Sequence, residues 1–236
     1  DYYASRGLGD VYKRQINMLN RHIVDGIIAG SHLLDFEEYQ GVQGPIVALD
    51  RFLGESIPVV STNHKIGGKL AAEELIRNNC RCVLQIQGAR IVDSPSHERH
   101  YEFERCMKKH GVTVYSHEMD WNDFDYGQYD VMADMLMDKY PDIDGIFAAD
   151  MVAIACIRQL LKRKKKVPRD VKVVAYDGTY VAKVGVMNLT VVQQPIEELA
   201  KSAVNILLNM MQGKKYHNKK AFFEPSLLYG DTTYNK

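Results

Sequence analysis

The sequence predicts an α/β fold built on parallel sheets. Two observations carry that expectation. A short β-branched or apolar run, then a polar loop, then an amphipathic stretch recurs along the chain, the pattern of strands joined by covering helices. Runs such as VKVVAY at 171–176 are apolar nearly throughout, as strands covered on both faces must be. With 236 residues, 46% hydrophobic and 25% charged, the chain sits near the globular average and is long enough for one large domain or two lobes.

Taken in order, residues 1–15 (DYYASRGLGDVYKRQ) follow neither a helical nor a strand period. They are expected to be foreign to the domain, because GLGDVYKRQ resembles translated adaptor read-through; an upstream reading frame running unbroken through them would contradict this. Residues 21–28 read as the end of a helix entering a first strand at 25–29. Strands are expected next at 46–49 and 59–61. A helix over 66–78 follows, with Ile66, Leu70, Ala71 and Leu75 on one face. Further strands are expected at 83–86, 113–117 and 145–148. A helix beginning at Met151 closes on the basic run KRKKK at 162–166, where positive charge meets the negative end of the helix dipole. That run reads as a solvated helix end, not as a nucleic-acid patch. Strands at 171–176 and 190–193 lead to a helix over 197–212 that aligns Leu199, Ala203, Ile206, Leu207 and Met210 and stops at Gly213.

Composition excludes several functions. Thirty Lys+Arg balance thirty Asp+Glu, which argues against a strongly basic, non-specific nucleic-acid binder. No run approaches the roughly 20 apolar residues of a membrane span, and no charged-then-apolar leader opens the chain. The four cysteines form no C-x-x-C, so reduced thiols and a cytoplasmic setting are expected.

Ligands of open parallel sheets bind beyond the carboxyl ends of the strands. There the sequence places Asn63 and His64, then Gly88 and a polar loop ending in Arg99, then Asp120 and Trp121, the only tryptophan, then Asp150, and then Asp177. Two carboxylates, a guanidinium and an indole on one edge suit a neutral polyol. Carboxylates accept from pairs of hydroxyls, the guanidinium donates in a planar fork, and an aromatic ring covers the C–H face of a sugar. Each residue also has an ordinary structural reading: Asp150 and Asp177 as helix or turn caps, Arg99 as a surface arginine, Trp121 as packing. Agreement among the four favours the site. His97 and His100 flank Glu98 and Arg99 without the H-E-x-x-H order, so no metal is expected. No G-x-S-x-G, Walker or complete strand-borne G-x-G-x-x-G pattern occurs, so no catalytic residue, cofactor or enzymatic activity is expected.

The segments VDGII at 24–28, IGG at 66–68, SHER at 96–99, IFAAD at 146–150, VAYD at 174–177 and TVVQQP at 190–195 stand in an order that resembles the effector-binding domain of LacI/GalR-type bacterial transcriptional repressors. The resemblance runs from about residue 16 to 232. It implies two Rossmann-like lobes, as in type I periplasmic binding proteins, joined by crossing hinge strands with the effector between them, the first lobe being truncated at its N-terminus. It implies an N-terminal lobe at 16–88 and 194–221 and a C-terminal lobe at 89–193 and 222–236. Arg99, Trp121, Asp150 and Asp177 would contact the effector, with Asn63 contributing from the first lobe.

The resemblance further implies a sugar effector, a homodimer, and operator binding through a helix-turn-helix that this chain does not contain. The segments at 176–179 and 193–196 look most like those of sucrose-operon repressors. Two departures stand out: Ala149 occupies a place that is usually polar in the family, and the residues after Arg99 lack the family's frequent Gly-Phe. The alternative is a periplasmic sugar-binding protein of a transporter, which would share fold and site. An enzyme of sugar metabolism is a third class and would need a general base within reach of a substrate proton.

Overall fold

The computed structural model describes residues 13–30, 39, 42, 44–91, 94–120, 126–185, 187–214 and 219–234. The chain divides into two compact units. The first comprises 1–62, 91–96 and 195–223, and the second 63–90, 97–194 and 224–236.

In the first unit, β1 (Ile27–Ala29), β2 (Ile46–Leu49), β3 (Val59–Thr62) and β9 (Lys220–Phe223) form a parallel sheet in the order β1-β2-β3-β9. A helix over residues 13–20 (α1) puts Ile16 and Leu19 into a core with Ile46, Ala48 and Val59. On the other face Val47 and Val60 meet Leu199, Ala203 and Ile206 of helix α6 (Ile196–Met211). Side chains alternate across a strand, so a strand covered on both faces is apolar at every position. That is why β2 reads IVAL.

The second unit carries a six-stranded sheet in the order β10-β8-β7-β6-β4-β5. Its strands are β4 (Cys82–Gln87), β5 (Thr113–Glu118), β6 (Gly145–Ala149), β7 (Lys172–Asp177), β8 (Thr190–Gln193) and β10 (Ser226–Leu228). All neighbours are parallel except β10, which runs against β8. Helices α2 (His64–Arg77) and α3 (Glu98–Lys109) cover one face, where Ala71, Leu75, Phe103 and Met107 pack on Val83, Phe147, Val174 and Tyr176. Helices α4 (Tyr126–Lys139) and α5 (Asp150–Lys162) cover the other, with Ala133, Leu136, Cys156 and Leu160 on Leu84, Ile86, Ile146 and Val173.

Three expectations are corrected. Residues 63–88 lie in the second unit, not with the N-terminal lobe, because β4 pairs with β5 and β6 and α2 packs on the same sheet. Phe222 and Phe223, expected beyond the last crossing, pair with Ser61 and Thr62 in the first sheet. Residues 13–15, expected to be unplaced, begin the helix that buries Ile16 and Leu19; the rest of the supposed foreign segment, 1–12, lies outside the described residues. Among the described residues no helix is long and apolar enough to cross a membrane.

Candidate functional site

Strands β6 and β7 end side by side, and the helices α2 and α3 begin next to them. Four of the expected residues are brought to this corner of the second unit. Arg99 lies in the first turn of α3 with 16% of its side chain exposed. Its Cζ sits 4.4 Å from the centroid of the Tyr176 ring, its Nε donates to His100 Nε2 at 3.1 Å, and its Nη1 stands 3.6 Å from Asp177 Oδ1. The last distance is an ion pair too long for a hydrogen bond, so the Nη edge of the fork keeps donors for a ligand. The Tyr176 ring beneath it is itself fixed, since its hydroxyl meets His64 Nδ1 at 2.8 Å.

Asp177 ends β7 at φ +108°, a region that side-chain-bearing residues adopt only under constraint and that clusters at functional sites. Gln194 supplies the constraint: its Nε2 donates to Asp177 Oδ1 at 2.8 Å and its backbone N–H to the Asp177 carbonyl at 3.0 Å. Gly178 follows at φ +70°, where a Cβ would press on the Gln193 backbone at 2.7 Å.

Asp150 does not stand as an open acceptor. It opens α5 with 2% exposure, and its carboxylate accepts from the Thr179 N–H at 2.7 Å, the Thr179 hydroxyl at 2.8 Å and the Gly178 N–H at 3.4 Å. It therefore positions the loop that carries Asp177. Burial is the largest influence on this carboxyl and pushes it up to about 6, with the Asp177 charge adding and the Thr179 and Gly178 bonds opposing. A carboxyl near 6 could serve as a general acid or base, but this one is enclosed by its own loop, its oxygens already accepting from Gly178 and Thr179.

The raised value has a signed consequence. Folding takes up a proton between the unfolded carboxyl's value of about 3.9 and the folded value, so this group's stabilisation is complete below about pH 4 and lost as pH rises through about 6. The loss is about 3 kcal/mol, and Asp150→Asn should remove it. Urea unfolding of both proteins from pH 4 to pH 7 checks this; parallel profiles would contradict it.

Asn63 caps α2, its side chain accepting from the Ile66 N–H at 3.3 Å. It belongs to the second unit, not to the first lobe as expected. Trp121 lies outside the described residues. Sequence reasoning did not consider Tyr176 or Gln87 as site residues; it placed His64 at the strand end without a role and weighed His100 only as a metal ligand. A signal was present: Gln85 and Gln87 break an otherwise apolar strand at two-residue spacing, which marks one polar face.

Comparison with known proteins bears on what such a corner is for. Residues 72–233 match the periplasmic binding protein-like domain family. The chain belongs to that family, as a LacI/GalR-type effector-binding domain. This LacI/GalR-type domain is 29% identical over 222 residues to the ribose operon repressor of Halalkalibacterium halodurans, covering 94% of this chain and 66% of that protein. It is 31% identical over 200 residues to the sucrose operon repressor of Streptococcus mutans, covering 84% of this chain and 61% of that protein. The domain thus spans somewhat under two thirds of the length of these two relatives.

A solved periplasmic binding protein/LacI transcriptional regulator from Alkaliphilus metalliredigens, complexed with D-xylulofuranose, superposes with a TM-score of 0.83 at 25% identity, covering 95% of this chain and 83% of that one. These relatives are named as operon repressors and a LacI transcriptional regulator.

Proposed function

We propose that the LacI/GalR-type domain senses a small sugar, sucrose or a related one, at the corner formed by Arg99, Tyr176 and Asp177, and passes that signal to operator DNA. The observation that carries the reading is the guanidinium held 4.4 Å over a buried tyrosine ring beside Asp177. A fork of donors next to a carboxylate matches the alternating donors and acceptors of a polyol. Asp150 acts by shaping the Asp177 loop, Asn63 by setting the start of α2, and Trp121 by covering a sugar face. Relatives named for the ribose and sucrose operons support a sugar as the signal. The same names favour a cytoplasmic repressor over a transporter's binding protein.

In this reading the working protein is a homodimer, and DNA is read by a helix-turn-helix outside this chain. The effector favours one of two conformations only by its difference in affinity for them. A switch from 1:99 to 99:1 requires about 5.5 kcal/mol.

The test is thermal unfolding of the chain with D-ribose, D-xylose, sucrose and cellobiose, repeated on Arg99→Ala. Ligand at 100 times its dissociation constant stabilises by about 2.7 kcal/mol, which raises the midpoint by on the order of 5 to 10 °C. Arg99→Ala should weaken binding by about 10- to 100-fold, the value of a charged hydrogen-bond donor. A midpoint that none of the four sugars moves would overturn the reading, as would an Arg99→Ala variant that binds as tightly as the parent.

A further inference from the structure

Two buried polar atoms of the second unit lack a hydrogen-bond partner among the described residues. Gln87 and His100 are each 3% exposed, and neither the Gln87 amide oxygen nor His100 Nδ1 has a hydrogen-bond partner among the described residues. Gln87 is the last residue of β4, at the carboxyl end of the sheet. His100 lies in the first turn of α3, next to Arg99.

The two share one face of the sheet. Gln85 is the register partner of Phe147, and the His100 ring lies 5.7 Å from the Phe147 ring. One turn further along α3, Glu104 accepts from Gln85 Nε2 at 2.8 Å. A helical turn of four residues advances about 6 Å and two strand residues about 6.6 Å. Hence His100 stands over Gln87 as Glu104 stands over Gln85.

The protonation of the ring is also decided. Arg99 Nε–H is only a donor, so His100 Nε2, which receives it at 3.1 Å, must be the acceptor. A neutral ring then carries its proton on Nδ1. Burial, and after it the Arg99 charge, hold His100 well below the usual histidine range, which keeps the ring neutral. The buried atoms are thus one obligate donor and one obligate acceptor. A single hydroxyl satisfies both, giving its proton to one and receiving from the other.

We propose that His100 Nδ1–H and the Gln87 amide oxygen together grip one hydroxyl of the bound sugar and make the domain specific for ligands that carry it. This rests on the sugar reading above and adds the residues that discriminate among sugars. A site shaped to hydrogen-bond a hydroxyl rejects the analogue lacking it, because its own buried groups are then left unpaired.

The experiment titrates the chain, Gln87→Met, His100→Phe, His100→Asn and the double variant Gln87→Met/His100→Phe with D-ribose, D-xylose, sucrose and cellobiose. It then uses the monodeoxy forms of whichever sugar binds. Gln87→Met and His100→Phe should each weaken binding on the order of tenfold. His100→Asn, which keeps an N–H near the Nδ1 place, should retain most of the affinity. One monodeoxy sugar should bind the parent chain poorly, yet bind the double variant as well as the intact sugar does. Equal affinities for the parent chain and both single variants, with every monodeoxy form losing alike, would overturn the subsite and leave the sugar reading standing. Failure of the parent chain to bind any of the four sugars would overturn both.

Discussion

Gly68→Ala should destabilise the second unit by about 3 kcal/mol, at the upper end of what overpacking costs. In an exposed helix interior the same change gains about 1 kcal/mol. Here the sign reverses because a Cβ on Gly68 would collide with the backbone carbonyl of Arg99. A carbonyl in the first turn of α3 cannot rotate away as a side-chain tip can, so α2 and α3 must separate. Arg99 then leaves its seat over Tyr176, and sugar affinity should fall together with stability. Gly88→Ala is the control, since nothing lies within 4 Å of the added methyl; it should stay within about 0.5 kcal/mol of the parent. Urea midpoints for the three proteins decide the matter, and a raised midpoint in Gly68→Ala would refute the close approach of the two helices.

Tyr176→Ala should cost about 4 kcal/mol, the scale of an aromatic truncated in a packed core. The side chain is 1% exposed, lies in the cluster with Phe147, Val174 and Val192, and carries the Arg99 guanidinium on its ring. Tyr176→Phe separates these roles. It keeps the ring but removes the hydroxyl that meets His64 Nδ1 at 2.8 Å, leaving a buried nitrogen without that partner at a cost of about 1 to 3 kcal/mol. Sugar affinity should survive in the Phe variant and collapse in the Ala variant. Calorimetric titration of both distinguishes a platform for Arg99 from a direct role of the hydroxyl; loss of binding in Tyr176→Phe would point to the latter.

Much of this was legible one residue at a time. Strands 46–49 and 190–193 coincide with β2 and β8, and the other expected strands overlap β1, β3 and β4 to β7 within two residues at each end, since a doubly covered strand announces itself by an unbroken apolar run. The short strands β9 and β10 were not read: KAFF and SLL have exposure that alternates or grades, so they lack such a run. At the candidate site, Arg99 and Asp177 were named from the sequence because a loop after a strand is where polar side chains converge. Tyr176 was not, because an aromatic residue inside an apolar strand looks like core, and it is core as well as platform.

By itself, the sequence determined the α/β alternation, the strand positions and the polar residues waiting at the strand ends, because local periodicity encodes which side of each element faces solvent. Only the tertiary structure decided which sheet each strand joins and which partner each polar atom meets. Strand β4 is as apolar as β3, and nothing local says that it pairs with β5 and β6; that choice carried residues 63–88 into the second unit. The carboxylate of Asp150 spends its lone pairs on a loop 28 and 29 residues away, whereas the Gln87 amide oxygen and His100 Nδ1 have no hydrogen-bond partner among the described residues. Sheet order and hydrogen-bond pairing are settled by contacts between segments distant in the chain, and periodicity carries no record of them.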